Sequence, residues 1–337
     1  DSDGFGEEKT ISTTAQNARS VYATDLDGDE DIEVLSASSG DDTIAWYENR
    51  IGESGADSDG FGRQIPVTFG LSPHAVLASD LDGNGEKDVV FAGENTVGWV
   101  EGRTGEAGGG AEFGDPRVIT DSASIGGGSD ATVATADLDG DGDKDVLTTF
   151  HPRDESRVVW YENQIGESGA DGDGFGPRQT ITTNVTQPTS VTTADLDGDG
   201  DKDVLAGFEE TLAWYENQMD ESGSDSDGFS SFKTIGNIRP KSVSTADLDG
   251  DGDEDVLVAE GFGDIQWYEN QLGESGATDN FSDNPRIGRV SDALSVSSAD
   301  LDGDGDEDVF AGGDGSRDEI AWFENEIGES EADSDGF

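Results

Sequence analysis

The tetrapeptide Asp-Leu-Asp-Gly occurs six times in this 337-residue chain, beginning at Asp25, Asp80, Asp137, Asp195, Asp247 and Asp300. Successive copies lie 55, 57, 58, 52 and 53 residues apart, and one tryptophan follows each: Trp46, Trp99, Trp160, Trp214, Trp267 and Trp322. All six tryptophans of the chain are used in this way. A fixed period of this length means a repeat architecture, in which each unit buries its apolar faces against its neighbours.

The fourth repeat shows what one unit contains. Ser190–Ala194 is short and β-rich, the Asp195–Asp203 loop follows, and Val204–Phe208 is apolar. A polar turn at Glu209-Glu210 leads into Thr211–Asn217, where Leu212 and Trp214 alternate with Ala213 and Tyr215. A long acidic loop then precedes Phe232–Ile235. Four short strands per ~55-residue unit is the pattern of a propeller blade. We label these strands a to d. The expected fold is all-β: one domain over residues 1–337, a six-bladed β-propeller with four antiparallel strands per blade. Period-2 alternation in strand c places Trp on one sheet face and Tyr on the other, packed between blades.

The chain opens and closes on the same pentapeptide, Asp-Ser-Asp-Gly-Phe, at Asp1–Phe5 and Asp333–Phe337. The sixth repeat therefore stops before its strand d, while Lys9–Thr13 resembles the strand d at Gln179–Thr183. The N-terminal strand is expected to close the last blade, which removes open sheet edges. The alternative is a piece excised from a longer array. The start at Asp1, with neither methionine nor apolar leader, reads as a processed or excised product.

The third repeat carries Asp137, Asp139, Asp141, Asp143 and Asp145 at positions 1, 3, 5, 7 and 9 of its loop, with Gly142 at position 6. Carboxylates at 1, 3, 5 and 9 can converge on one hard cation while residue 7 offers its carbonyl, and the glycine permits the sharp turn. A flexible cage of oxygens suits calcium better than magnesium, and the lack of His or Cys argues against zinc or copper. An EF-hand is excluded, because Thr148, Phe91, Ala206, Val258 and Ala311 stand where its bidentate Glu would be, and a β-rich run follows. Repeats four, five and six match position for position: Asp195, Asp197, Asp199, Asp201 and Asp203; Asp247, Asp249, Asp251, Asp253 and Asp255; Asp300, Asp302, Asp304, Asp306 and Asp308. Repeat two has Asp80, Asp82, Asn84, Glu86 and Asp88, all compatible with binding. Repeat one departs most, with Asp25, Asp27, Asp29, Asp31 and Glu33, and with Glu30 in place of the glycine. Glu30 resists a positive φ, so this loop is expected to be weak or differently shaped. Five or six calcium ions, one per loop, are expected in a structural role.

Asp-x-Asp-x-Asp-Gly-x-x-Asp in a hairpin, once per blade, resembles the FG-GAP/VCBS repeat family, including the calcium loops of integrin α-subunit propellers. The Phe-Gly pairs at Phe5, Phe61, Phe113 and Phe175 add to the likeness, as does Trp-Tyr-Glu-Asn at Trp46, Trp160, Trp214 and Trp267. The resemblance implies a calcium-binding propeller. It leaves function open, because related propellers serve as adhesins, lectins and some polysaccharide lyases.

Asp and Glu number 78 against 18 Lys and Arg, a net charge of −60. Such a chain repels nucleic acid and anionic membranes, and no apolar run approaches the ~18 residues of a membrane span. With 49 glycines and regular short apolar stretches it reads as folded, and its acidity as a halophile-like surface for concentrated salt. The chain has no cysteine, hence neither disulfides nor thiolate metal sites.

The a–b and c–d loops of a four-stranded blade share one end, and the b–c and d–a loops the other. The first end carries the calcium loops. The second carries Arg19, His74, His151, Arg153, Arg157, Arg239, Lys241, Arg289 and Arg317, the candidate ligand face for an anionic or glycan partner. Asn184-Val-Thr186 and Asn280-Phe-Ser282 fit the N-glycosylation pattern. The expected function is a secreted or cell-surface binding or adhesion module recognising a glycan or protein. The alternative is a self-assembling surface or filament subunit. A polysaccharide lyase-like enzyme is the third reading, and it lacks a unique catalytic constellation.

Overall fold

The computed structural model describes residues 10–51, 60–70, 72–94, 96–103, 112–120, 131–150, 156–167, 172–219, 228–272, 280–283, 286–301, 305–313 and 319–327. Among them there is no helix. The fold is all-β, six small antiparallel sheets that form the blades of a six-bladed β-propeller, one per repeat. By proximity the chain groups into two compact units, residues 1–133 with 163–176, and 134–162 with 177–337.

The fourth repeat shows how sequence becomes sheet. Its strands are Ser190–Ala194, Asp203–Phe208, Thr211–Tyr215 and Lys233–Gly236, paired in that order. Leu205 stands opposite Trp214 and Gly207 opposite Leu212 across strands b and c. The alternation then divides the side chains between two cores. Trp214, Leu212 and Leu205 pack with Val243, Val256 and Val258 of the fifth repeat. Tyr215, Ala213 and Val204 pack with Leu138, Leu147 and Trp160 of the third. Strand b of the second, third, fourth and fifth repeats is buried along its whole length, which is why these runs are largely apolar instead of alternating. The first and second repeats pack by the same rule, with Leu35, Ile44 and Trp46 against Val76, Val89 and Phe91.

The fifth sheet breaks its strand d into Phe281–Asp283 and Gly288–Arg289. The sixth has three strands among the described residues, Ala293–Ala299, Asp308–Gly313 and Glu319–Phe323. The expected closing strand at Lys9–Thr13 is not found: Lys9 lies outside the described residues and Thr10–Thr13 belong to no strand. The adjoining segment is held by the first repeat instead. The Gln16 carbonyl accepts from Gly40 N at 2.9 Å, and the Thr14 hydroxyl donates to the Gln64 side chain. The Trp-bearing face of the sixth sheet is correspondingly open. Leu301 is 44% exposed and Ile320 87%, whereas the loop leucines of the other five repeats are 2–4% exposed.

Candidate metal centre

Each aspartate loop joins strands a and b and is folded by its own carboxylates. In the first, third, fourth and fifth repeats one oxygen at position 1 accepts from the amide of residue 4 and the other from that of residue 6, while Asp80 in the second takes only Gly85 N, at 2.9 Å. In the third repeat Asp137 does this with Gly140 at 2.8 Å and Gly142 at 3.0 Å. Asp195 and Asp247 repeat it with Gly198 and Gly200, and with Gly250 and Gly252. Asp141, Asp199 and Asp251 at position 5 accept from the amide of residue 7 at 2.9 Å. Gly142, Gly200 and Gly252 take φ near 100°, a backbone that costs glycine little and other residues more.

The last acid of each loop does different work. Asp88, Asp145, Asp203, Asp255 and Asp308 are at most 1% exposed. One oxygen accepts from the amide of the loop's own leucine, as in Leu196 N to Asp203 Oδ2 at 3.0 Å and Leu248 N to Asp255 Oδ2 at 3.1 Å. The other accepts from the chain just beyond strand c, from Asn217 N to Asp203 and from Asn270 N to Asp255, both at 2.8 Å. Each carboxylate oxygen has a second lone pair, so both bonds are compatible with metal ligation.

These side chains converge. Carboxylate oxygens of Asp25, Asp27, Asp29 and Glu33 lie within 4.8 Å of one another. The same holds for Asp80, Asp82 and Asp88; for Asp137, Asp139 and Asp145; for Asp195, Asp197 and Asp199; and for Asp247, Asp249 and Asp251. The position-7 side chains Asp31, Glu86, Asp143, Asp201 and Asp253 stand outside these groups, and so do the expected ligands Asp141 at position 5 and Asp203 and Asp255 at position 9. Asn84 accepts from Glu86 N at 2.6 Å. Asp302 and Asp304 lie outside the described residues.

The groups fit a hard cation. Buried oxygens of Asp27, Glu33, Asp80 and Asp197 have no hydrogen-bond partner, an arrangement that is costly unless something positive satisfies them. Burial, reinforced by the neighbouring acids, pushes the carboxyls of Asp27, Asp139 and Asp249 above their ordinary range and that of Asp197 up to about 6. Burial also lifts Glu33, Asp203 and Asp255 to about 7, despite the backbone amides that oppose it. Several aspartate-rich groups can therefore hold a metal ion, through oxygen alone.

The first loop differs from expectation in an informative way. Glu30 does adopt φ 76°, and its amide bonds Asp25 at 3.2 Å, so the loop keeps the shape of its relatives at the cost of strain. Glu33 fills the place of the shorter Asp, bonding Leu26 N at 2.8 Å, and the group gathers four carboxylates. Glu30→Gly is expected to raise stability by about 1 kcal/mol, because it removes the left-handed penalty. Chemical denaturation checks this, and an unchanged or lower stability counts against it.

Residues that sequence reasoning passed over sit just after the Trp-Tyr pairs. Asn217 Nδ2 donates to Leu138 O of the preceding repeat's loop at 2.7 Å and to Lys202 O of its own loop at 3.2 Å. Its Oδ1 accepts from Met219 N at 3.1 Å. Asn270 and Asn325 repeat the pattern, and in the first unit Asn163 Nδ2 bonds Leu81 O at 2.7 Å. The signal was their recurrence after each Trp-x-Glu, broken only at Gly102, which follows Trp99-Val100-Glu101.

The candidate ligand face is less basic than its sequence suggests. Arg239 pairs with Glu210 at 3.2 Å and Arg289 with Asp264 at 3.0 Å. Arg19 is exposed and bonds the Ser39 hydroxyl, Lys241 is exposed, and His74 and Arg157 are half-buried with partners. His151, Arg153 and Arg317 lie outside the described residues. In the second unit a groove of about 360 Å³ opens at this end, lined by Glu210, Thr211, Asn237, Ile238 and Arg239. Phe262, 64% exposed at the tip of the fifth b–c turn, stands beside it with its ring 5.6 Å from the Arg239 guanidinium.

Fold and loops together define a class, propellers whose hairpins each close over an aspartate loop. The FG-GAP-like repeat family matches residues 25–91, 80–148, 195–258 and 247–311, more than half of the chain, and the chain belongs to that family. No curated protein matches it. Among solved structures it is similar to an Agrocybe aegerita lectin that specifically recognises non-reducing terminal N-acetylglucosamine. The identity is 19%, over 82% of this chain and 66% of that one, with a TM-score of 0.47. It is also similar to the Photorhabdus luminescens Tc holotoxin pore, at 18% identity over 94% of this chain and 14% of that one, again with a TM-score of 0.47. These likenesses are too distant to bear on what the chain binds. Among the described residues no helix is long and apolar enough to cross a membrane.

Proposed function

We propose that this chain is a calcium-stabilised, non-enzymatic binding module of a secreted or cell-surface protein. Its loops hold five or six calcium ions, one per repeat, and a glycan or protein binds at the b–c and d–a end of the sheets. The metal reading rests on converging carboxylates with unpartnered buried oxygens. One observation carries the ligand reading. Among sheets that repeat so closely, the groove between Glu210 and Arg239 joins an exposed aromatic to planar polar groups. That combination suits a ligand with both apolar and hydroxylated faces, while the ion pairs of Arg239 and Arg289 argue against a purely anionic one.

The test is a glycan array probed with the calcium-loaded chain, followed by titration of the best glycan against the double variant Arg239→Ala/Phe262→Ala. At least tenfold weaker binding is expected, about the sum of one stacking and one charged contact. No bound glycan, or equal binding by the variant, contradicts the site.

A further inference from the structure

The asparagines that follow strand c form more than isolated caps. In the second unit their bonds connect end to end. Asn325 N donates to Asp308 while its side chain donates to Leu248 O, and Leu248 N donates to Asp255. Asn270 N donates to the other oxygen of Asp255 while its side chain reaches Leu196 O, and Leu196 N donates to Asp203. Asn217 then links Asp203 to Leu138 O, and Leu138 N donates to Asp145. Four consecutive loops are thus joined by a buried relay in which every junction is the same three residues: anchoring Asp, bridging Asn, loop Leu.

Only asparagine meets the demand at the bridge. Its side chain must donate to carbonyls of two different loops and accept one amide, using both of its N–H donors. Aspartate is the same size and has no donor to offer. Repeat two shows the bridge deleted. Gly102 keeps the main-chain half, with its amide on Asp88 at 2.9 Å, and has no side chain to send to a neighbouring loop. A Cβ there would lie 1.9 Å from Lys87 O, so the residue cannot simply be restored.

We propose that these asparagines are positioning residues for the metal loops, coupling calcium occupancy of one loop to that of the loop in the preceding repeat. The third, fourth and fifth loops then fill cooperatively. The chain of cause is local. A cation on the third loop fixes Asp145, which fixes Leu138 and so offers Asn217 an ordered carbonyl. Asn217 in turn presents its amide to Asp203, the anchoring acid of the fourth loop. Bonds in such a buried chain are worth more together than singly. The first loop lacks the bridge on the side of Gly102 and fills independently of the second.

The proposal rests on the calcium reading above, and one experiment separates the two. Calcium is titrated into the full chain while the amide resonances of Gly142, Gly200 and Gly252 report their own loops. The wild type is compared with Asn217→Gly, which copies the native Gly102, and with the isosteric Asn217→Asp. In the wild type the three loops are expected to fill together, with a Hill coefficient above one. In both variants the Gly142 midpoint is expected to rise about fivefold, the size of one lost buried hydrogen bond, and the transitions to separate while Gly252 stays put. A wild type without response to calcium removes the calcium reading and this proposal with it. Normal filling with an unmoved Gly142 midpoint in Asn217→Gly overturns the coupling alone. So does an equal shift of all three glycines, the mark of general destabilisation.

Discussion

Removing calcium is expected to lower the melting temperature by on the order of 20 °C in molar salt. A loop held at a hundred times its dissociation constant adds about 2.7 kcal/mol to the folded state, and five such loops sum to roughly 13 kcal/mol. For a chain of this length one kcal/mol moves the midpoint by about 2 °C. Chelation also exposes repulsion that the fold builds in, because the first five loops each pack three or four carboxylates within 4.8 Å on a chain of net charge −60. Magnesium is expected to restore little of the loss, since it demands a smaller and more regular cage. Scanning calorimetry in molar salt, with calcium, with magnesium and with chelator, measures this. Equal midpoints with calcium and with chelator would show that the loops hold no structural ion.

Asp255→Ala is expected to be the most damaging single loop substitution, at about 3–5 kcal/mol in calcium. Asp255 is 1% exposed, and its two oxygens take Leu248 N at 3.1 Å and Asn270 N at 2.8 Å. Alanine leaves two buried amides without acceptors and opens the junction between strand c and the loop. The neighbouring Asp253→Ala is the control: both side chains stand outside the group of Asp247, Asp249 and Asp251, but Asp253 is only half-buried where Asp255 is sealed. It is expected to stay within about 0.5 kcal/mol of wild type, as surface changes do. Urea denaturation of both variants checks the contrast. Equal losses would mean that the anchoring acid has no special place.

Much of this was legible in the sequence because the repeat averages out local ambiguity. In the fourth repeat Ser190–Ala194 was read to the residue, and the Val204, Thr211 and Phe232 runs fell on the observed strands with shifts at their ends. The opposed burial of Trp214 and Tyr215 followed from period two alone. Four things were not legible. The start of the chain resembles a strand d, but a strand pattern does not say which sheet will receive it, and Gln16 bonds the first repeat instead. Glu30 was expected to leave its loop weak or differently shaped, yet the amides of Gly28 and Glu30 that donate to Asp25 hold a positive φ against the side chain's preference. The asparagine bridges span 74–79 residues in the second unit, and spacing carries no sign of a side-chain bond at that distance. Likewise the basic residues read as a patch until their carboxylate partners were seen.

The most direct test of calcium in these loops is a count. The full chain, dialysed in molar salt against micromolar free calcium, is analysed for metal by inductively coupled plasma spectrometry against protein concentration. Five or six calcium ions per chain, falling by about one in Asp255→Ala, is the predicted result. A wild-type chain that retains no calcium would contradict the account, leaving the aspartate loops as acidic turns on a propeller.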